Sequence, residues 1–452
     1  MSVIAAISTP DAVGGIGVIR ISGAGADAIA DRVFRPVGKK KLTELPGYRA
    51  AYGHVYDGEA LLDECVALVF RAPHSFTGED TVELSCHGGL YVTRRVLRAV
   101  LDAGARPADR GEFTKRAFLN GKIDLAEAES VMNVIGAAGD RALRAAAQTG
   151  SGALSRKLAA LRGRLTHLSA ALAYWSDDPD EDVPEADPDA LGASLDGLIG
   201  ELDTLTRDYD NGKAFTEGVR CVICGSPNVG KSTLMNLLAG EERSIVTEIP
   251  GTTRDVVEET VRLGDVLLRL ADTAGLRQTG DVVEAIGVQR ARERIGQAEL
   301  ILAVFDASEP LTDADRELLE ACGGRRCVIV LNKTDLPPRV QVGDVAAYAS
   351  ETVLLSAKTG EGAQALTEAI NRVCAGDAAE NALLLTGERQ RQCCQRARSA
   401  LADAREALAG GVTLDAVSVL LDEALRAMME MTGENVSDAV IGEVFARFCV
   451  GK

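Results

Sequence analysis

An apolar, β-branched run at 219–223, the loop Gly225-Ser226-Pro227-Asn228-Val229-Gly230-Lys231-Ser232 and a helical stretch at 233–239 follow one another closely. Strand, glycine-rich loop and helix in that order form a phosphate cradle. The two glycines let successive backbone N–H groups turn inward on a β-phosphate, Lys231 reaches the β/γ oxygens, and the Ser232 hydroxyl can ligate Mg²⁺, all at the positive end of a helix. Many nucleotide-binding proteins share this loop, so the motifs downstream of it decide its use.

Asp272-Thr273-Ala274-Gly275 ends a strand-like run at 266–270, where a nucleotidase needs a carboxylate facing the metal and a glycine free to move with the γ-phosphate. Asn332-Lys333-Thr334-Asp335 ends another, at 327–331, and suits guanine, because Asp335 can accept from N1–H and from the 2-amino group that adenine lacks. Ser356-Ala357-Lys358 ends a third, at 353–355, and can offer a backbone N–H to the guanine O6. Any one of these short motifs reads equally well as an ordinary strand-to-loop turn. All of them in order, within about one domain length, predict a guanine-nucleotide site.

The length of 452 residues predicts two to four domains, and 46% hydrophobic content supplies real cores. Ten cysteines without regular spacing read as reduced cytosolic thiols. The N-terminus lacks a basic leader and no apolar run approaches the roughly 20 residues of a membrane span, so a cytoplasmic protein without membrane contact is expected. A net charge of −18 weighs against general nucleic-acid affinity. Much of the excess is local, since residues 177–189 carry eight acids and no base, whereas the first 118 residues hold 15 Lys and Arg against 14 Asp and Glu.

Residues 1–118 alternate β-rich runs (3–7, 17–21, 65–70, 81–84) with helical stretches such as 91–103, an α/β or α+β pattern. Gly14-Gly15-Ile16-Gly17 precedes a strand instead of linking strand to helix, so it reads as a tight turn, and His87 has no nearby ligand partner for a metal. From Leu119 the texture is helical. Leu154, Leu158, Leu161, Leu165, Leu168 and Leu172 make one apolar seam, an acidic proline-containing loop spans 176–188, and helix resumes at 191–209. After a nucleotide domain at 214–377, Cys394, Ala397, Leu401, Ala404 and Leu408 share a face, as do Leu414, Val417, Leu421, Ala424 and Met428. The expected domains are 1–118, a first helical half at 119–213, the nucleotide domain at 214–377 and a second helical half at 378–452, with the nucleotide domain inserted into a single bundle. Cys221 and Cys224 have CxxC spacing, but three apart on a strand they point to opposite faces, which argues against redox or zinc pairing; Cys393-Cys394 reads as helix packing. The ending Cys449-Val450-Gly451-Lys452 resembles a prenylation box only superficially, because Gly451 and Lys452 stand where an aliphatic residue and a permitted last residue are needed.

The segments GGIGVIRISG (14–23), SFTGEDTVELSCHGG (75–89), RGEFTKRAFLNGKIDL (110–125) and the ending RFCVGK (447–452), together with the nucleotide motifs, resemble the MnmE (TrmE) family of bacterial tRNA-modification GTPases from end to end. The resemblance implies a multidomain α/β plus all-α protein: an N-terminal α+β domain similar to folate-binding aminomethyltransferases, a helical bundle and an inserted Ras-like P-loop GTPase domain. By motif it implies a one-carbon tetrahydrofolate held by Arg20, Glu83, Lys122 and Lys452. A pterin's N–H donors suit a carboxylate, and a glutamate tail suits Arg and Lys. Without the family, each of these reads as a plain surface charge. Cys449 reads either as a nucleophile toward a uracil ring or as a small packing residue.

Small signalling GTPases put a water-orienting Gln after the DxxG glycine; here Leu276 stands there. The resemblance implies Glu284 as the catalytic, water-positioning residue. It implies K⁺ as the charge-neutralising ion, held by Asn228 and by Thr247, Ile249 and Thr252 of the loop 244–252. Thr253 joins Ser232 on Mg²⁺. The GTP contacts so implied are Asn228, Val229, Gly230, Lys231, Ser232, Thr233, Thr247, Thr252, Thr253, Asp272, Thr273, Ala274, Gly275, Asn332, Lys333, Asp335, Ser356, Ala357 and Lys358. This chain departs from the family pattern at Asp11-Ala12-Val13, at 386–390 and in the acidic 174–183 stretch.

The expected function is a K⁺-dependent GTPase that, as a homodimer and with an FAD-bearing partner similar to MnmG in a heterotetramer, adds a carboxymethylaminomethyl or aminomethyl group to C5 of the wobble uridine of certain tRNAs. The alternative is a GTP-dependent switch for ribosome assembly like the Era or Der families, without one-carbon chemistry. Such proteins carry a basic RNA-binding domain, and nothing here is strongly basic.

Overall fold

The computed structural model describes residues 2–137, 139–177, 188–216, 218–241, 259–270, 296, 298–375, 383 and 385–452. Contacts divide the chain into two compact units, 1–132 with 429–452, and 133–428.

The first unit is built on seven strands: β1 (Ile4–Ile7), β2 (Ile16–Ser22), β3 (Phe34–Pro36), β4 (Arg49–Asp57), β5 (Ala60–Phe70), β6 (Thr81–His87) and β7 (Arg106–Pro107). They pair in the order β3-β4-β5-β6-β2-β1-β7. Alternation along the strands sorts the two faces. Ala5, Ile19, Ile21, Val82 and Leu84 are buried with Ile29, Ala30, Val96 and Val100 of helices α1 (Ala26–Val33) and α2 (Leu90–Asp102). Ile4 and Ala6 cluster instead with Phe113 of α3 (Glu112–Leu119). Since Ala6 lies opposite Arg20, and Arg20 opposite Glu83, that second face carries both charges.

The end of the chain packs into this unit. Ile441, Phe445 and Phe448 are buried with Leu125 and Ala128 of α4 (Leu125–Ile135). Val450 bridges to Arg110, the Gly111 N–H donates to the Cys449 carbonyl at 3.4 Å, and Ser8 Oγ donates to the Gly451 carbonyl at 3.1 Å. Contacts therefore place 429–452 with the N-terminal residues, whereas the sequence boundaries assign all of 378–452 to the helical bundle. The three apolar side chains after Gly433 find their burial there.

The second unit holds the sheet β13-β12-β11-β8-β10-β9, made of β8 (Val219–Cys224), β9 (Glu259–Leu263), β10 (Val266–Leu270), β11 (Leu300–Asp306), β12 (Cys327–Asn332) and β13 (Glu351–Leu354). All pairings are parallel except β9 with β10. Its central strands β11 and β12 are buried on both faces, as the strands of parallel sheets are. Cys221 belongs to the core that includes Leu234 and Leu238 of α8 (Lys231–Glu241), and Cys224 to the opposite core with Phe305 and Leu319. The unit also contains α5 (Asp140–Gly150), α6 (Ala153–Asp177), α7 (Pro188–Thr216), the helix Glu388–Ala409 and most of the helix Leu414–Thr432. The leucine seam of α6 is buried at Leu154, Leu158, Leu161, Leu165 and Leu172. α7 and Glu388–Ala409, which precede and follow the sheet in sequence, lie against each other: Arg398 Nε donates to Asp203 at 2.9 Å, and the Cys394 thiol to the Leu202 carbonyl at 3.6 Å. Among the described residues no helix is long and apolar enough to cross a membrane.

Candidate nucleotide and pterin sites

β8 has β11 on one side and β10 on the other, so the sheet's connection order switches at its carboxyl end, where open α/β sheets form their ligand crevice. The loop leaves β8 through Gly225 and ends at Gly230, with φ of 150° and 102°. A Cβ at Gly225 would sit 2.2 Å from the Val304 carbonyl oxygen, and one at Gly230 2.1 Å from Asn332 Nδ2, so neither place admits a side chain. α8 starts at Lys231 and presents its first-turn N–H groups to the loop. Lys231 Nζ donates to the carbonyls of Gly225 at 2.9 Å and Ser226 at 2.6 Å, and burial pushes its pKa down. A half-buried ammonium held by neutral carbonyls is a standing attraction for phosphate.

Asn332, at the end of β12, ties three loops into one surface. It is 2% exposed; its Nδ2 donates to the Val229 carbonyl at 2.7 Å, and its Oδ1 accepts from the Ala357 N–H at 2.9 Å. Asp335 accepts from Ser356 Oγ at 2.9 Å and is otherwise exposed at the rim. Lys333, at φ 67°, reaches Asp306 at 2.5 Å. Burial alone would raise the Asp306 pKa, but Lys333 and the hydroxyl and amide of Ser308 hold it below the usual carboxylate range. The structure thus brings Asn228 to Thr233, Asn332, Lys333, Asp335 and Ser356 to Lys358 onto one end of the sheet. Thr247, Ile249, Thr252, Thr253, Asp272, Thr273, Ala274, Gly275 and Glu284 lie outside the described residues.

In the first unit Arg20 Nε donates to Glu83 Oε1 at 2.8 Å across the β2–β6 ladder. The guanidinium lies 5.4 Å from the Phe76 ring centroid and 5.6 Å from that of Phe113. Phe113 is fully buried beneath the pair and Phe76 is exposed beside it, so the carboxylate and guanidinium can hydrogen-bond a flat heterocycle that stacks on the Phe76 ring. Lys122 Nζ donates to the Pro73 carbonyl at 3.1 Å, and its stem runs beside Gly78, so it joins the 73–78 loop that carries Phe76. Lys452 follows Gly451, which is docked on Ser8 at the end of β1. Beneath the loop, Arg116 donates to Glu79 at 2.9 Å and to Glu112 at 3.0 Å with its side chain only 3% exposed. Burial raises the Glu112 pKa, but Arg106, the Asp109 amide and Arg116 together take it below its ordinary value. His87 Nδ1 lies 2.7 Å from Asp63, whose carboxylate raises the imidazole pKa. Among the described residues no cluster of three or more His, Cys, Asp or Glu is placed to hold a metal. All ten cysteines are free, and Cys449 alone is exposed.

The model of the TrmE N-terminus, described as a GTP-binding protein, matches residues 3–122, and that of the MnmE helical domain matches 125–449. The tRNA modification GTPase MnmE of Geobacter metallireducens is 44% identical over 99% of both chains, and that of Symbiobacterium thermophilum is 44% identical over the same shares. The Geobacillus kaustophilus protein of that name is 42% identical over 99% of each. The chain belongs to the MnmE family. Its enzyme class is accordingly that of a GTPase. The G domain of the T. maritima FeoB iron transporter covers 34% of this chain at 26% identity and a TM-score of 0.26.

MnmE-family motifs named the groups at the ends of strands but not those behind them. Sequence reasoning read Asn332 as a nucleotide contact and missed its bridge between loops. It also missed Arg116, Glu112 and Glu79, because a buried ion network has no sequence signature beyond charged residues on an amphipathic helix, and it missed Asp315, which touches the phosphate loop from another helix.

Proposed function

We infer that this MnmE-family chain is a K⁺-stimulated GTPase that modifies C5 of the wobble uridine in certain tRNAs, together with an FAD-bearing partner similar to MnmG. The first unit takes a one-carbon tetrahydrofolate through Arg20, Glu83, Lys122 and Lys452. One observation carries this reading: on the sheet face opposite α1 and α2 the Arg20–Glu83 pair lies over the buried Phe113, with the Arg20 guanidinium beside the exposed Phe76 ring, a hydrogen-bonding and stacking set suited to a pterin. Bound folate supplies the carbon. Glu83 accepts from pterin N–H groups, while Arg20, Lys122 and Lys452 hold carbonyl and carboxylate oxygens.

In the second unit Lys231 and the first turn of α8 bind the β- and γ-phosphates, Ser232 and Thr253 are the Mg²⁺ ligands, and Asp335 reads guanine. Asn228, exposed on the phosphate loop at φ 63°, joins Thr247, Ile249 and Thr252 around K⁺. That ion offsets charge at the departing phosphate, an effect worth roughly 10³ to 10⁵ in rate when an arginine supplies it. Glu284 orients water. The contact between α7 and Glu388–Ala409 supports an inserted GTPase unit within one helical domain. Homodimerisation brings two such units together across K⁺.

Nucleosides from tRNA of cells lacking the protein test the reading. Loss of the C5-substituted wobble uridine is expected, and Arg20→Ala should reproduce it with GTP turnover retained. Unchanged nucleosides in the deletion strain would remove the enzyme reading and leave a GTP-dependent switch of the Era or Der kind.

A further inference from the structure

The second residue of the phosphate loop is tethered from outside the nucleotide motifs. Ser226 Oγ donates to Asp315 Oδ1 at 2.6 Å. Asp315 lies in the first turn of the helix Asp313–Cys322 and is 8% exposed. Its other oxygen accepts from the Thr312 N–H at 3.0 Å and the Thr312 hydroxyl at 2.8 Å, while its own N–H donates to Thr312 Oγ1 at 3.2 Å. This reciprocal cap fixes the carboxylate's orientation at the helix N-terminus, where a negative charge is favoured. The serine that it grips carries, on its carbonyl, one of the two hydrogen bonds that hold the Lys231 ammonium. Asp315, Ser226 and Lys231 thus form a chain from the helix Asp313–Cys322 to the amine that meets the phosphates. Gly225, one residue before, is wedged against the Val304 carbonyl and lets the loop turn but does not hold it.

We propose that Asp315 is a positioning residue for GTP, acting through Ser226 to hold the phosphate loop in its nucleotide-binding shape. A neutral serine–carbonyl contact would leave the loop free to flatten. A buried carboxylate that accepts two further hydrogen bonds is a stiffer anchor, and bonds to a charged acceptor are about twice as strong as neutral ones.

The test uses the full chain, a fluorescent GDP for affinity and steady-state GTP turnover. Ser226→Ala removes the donor; Asp315→Asn keeps the shape and loses the charge. Each is expected to weaken GDP affinity by about tenfold, the worth of one hydrogen bond to a charged group. The KM for GTP should rise with kcat within about twofold, as for interactions made equally in ground and transition states. The double variant should bind about as weakly as either single one, and Ser226→Thr, which keeps the hydroxyl, should restore affinity. Affinity unchanged in Ser226→Ala, losses that add in the double variant, or a lowered melting temperature with normal affinity would each overturn the proposal. If Asp315→Asn fails to fold, the pair Ser226→Ala and Ser226→Thr still decides it.

Discussion

Replacing Asn332 by Ala removes two hydrogen bonds and strands both partners, the carbonyl of Val229 and the N–H of Ala357, in residues that are 5% and 7% exposed. An unsatisfied buried backbone group costs about 1–3 kcal/mol, so the total is about 2–6 kcal/mol. The sheet can stay folded with the loops out of register, but the nucleotide needs both loops at once. A share of the cost, about 2 kcal/mol, should therefore appear as weaker binding, roughly thirtyfold for GDP and GTP, and the remainder as a lower melting temperature. Equilibrium titration with a fluorescent nucleotide and a thermal melt measure the two shares separately. Asn332→Asp sharpens the test. It keeps the acceptor for Ala357 but sets a second oxygen against the Val229 carbonyl, so it should bind nucleotide no better than Asn332→Ala. Gly230→Ala, whose new methyl would lie 2.1 Å from the same amide nitrogen, should fail in the same way. If Asn332→Ala binds within twofold of the parent chain, or Asn332→Asp binds normally, the reasoning that one side chain holds the site together is wrong.

Burial takes the Lys231 pKa below its ordinary 10.5, so the unfolded chain binds that proton more tightly. Nucleotide-free stability should accordingly rise with pH up to about 10.5, and Lys231→Met should flatten that slope without lowering the melting temperature, while abolishing GTP binding; a marked drop in nucleotide-free melting temperature would contradict this. The Glu112 pKa lies below its ordinary 4.5, so the stability it confers is full above that pH and is lost as the pH falls through its folded value. Melts of Glu112→Gln against the parent chain should differ at pH 7 and converge in acid. Gly451→Ala puts a methyl 2.2 Å from the Ile7 carbonyl at a φ of 98°, and should release the C-terminal segment at a cost of about 1–3 kcal/mol. Faster proteolytic loss of 449–452 would show it.

Local chemistry was legible in the sequence because it is written in contiguous residues. The glycine-rich loop after β8, the Asn332-Lys333-Thr334-Asp335 motif and the amphipathic seam of α6 each declare themselves within a few turns of chain. Strands β1, β2 and β6 were recognisable from their apolar runs, and the opposite facing of Cys221 and Cys224 followed from a period of two. Strand β4 was not singled out: Ala50, Tyr52, His54 and Tyr56 alternate with a face whose buried members are Gly53 and Val55, too weak a pattern to stand out. Tertiary structure alone decided which distant groups meet. Phe445, Phe448 and Gly451 settle on residues more than three hundred positions earlier because that is where their surface can be buried. The Arg20 guanidinium meets Glu83, Phe76 and Phe113 through strand register and the docking of α3. Asp315 reaches Ser226 only because the helix after β11 begins beside the end of β8. Such meetings depend on packing across the chain, and no local pattern of residues encodes them.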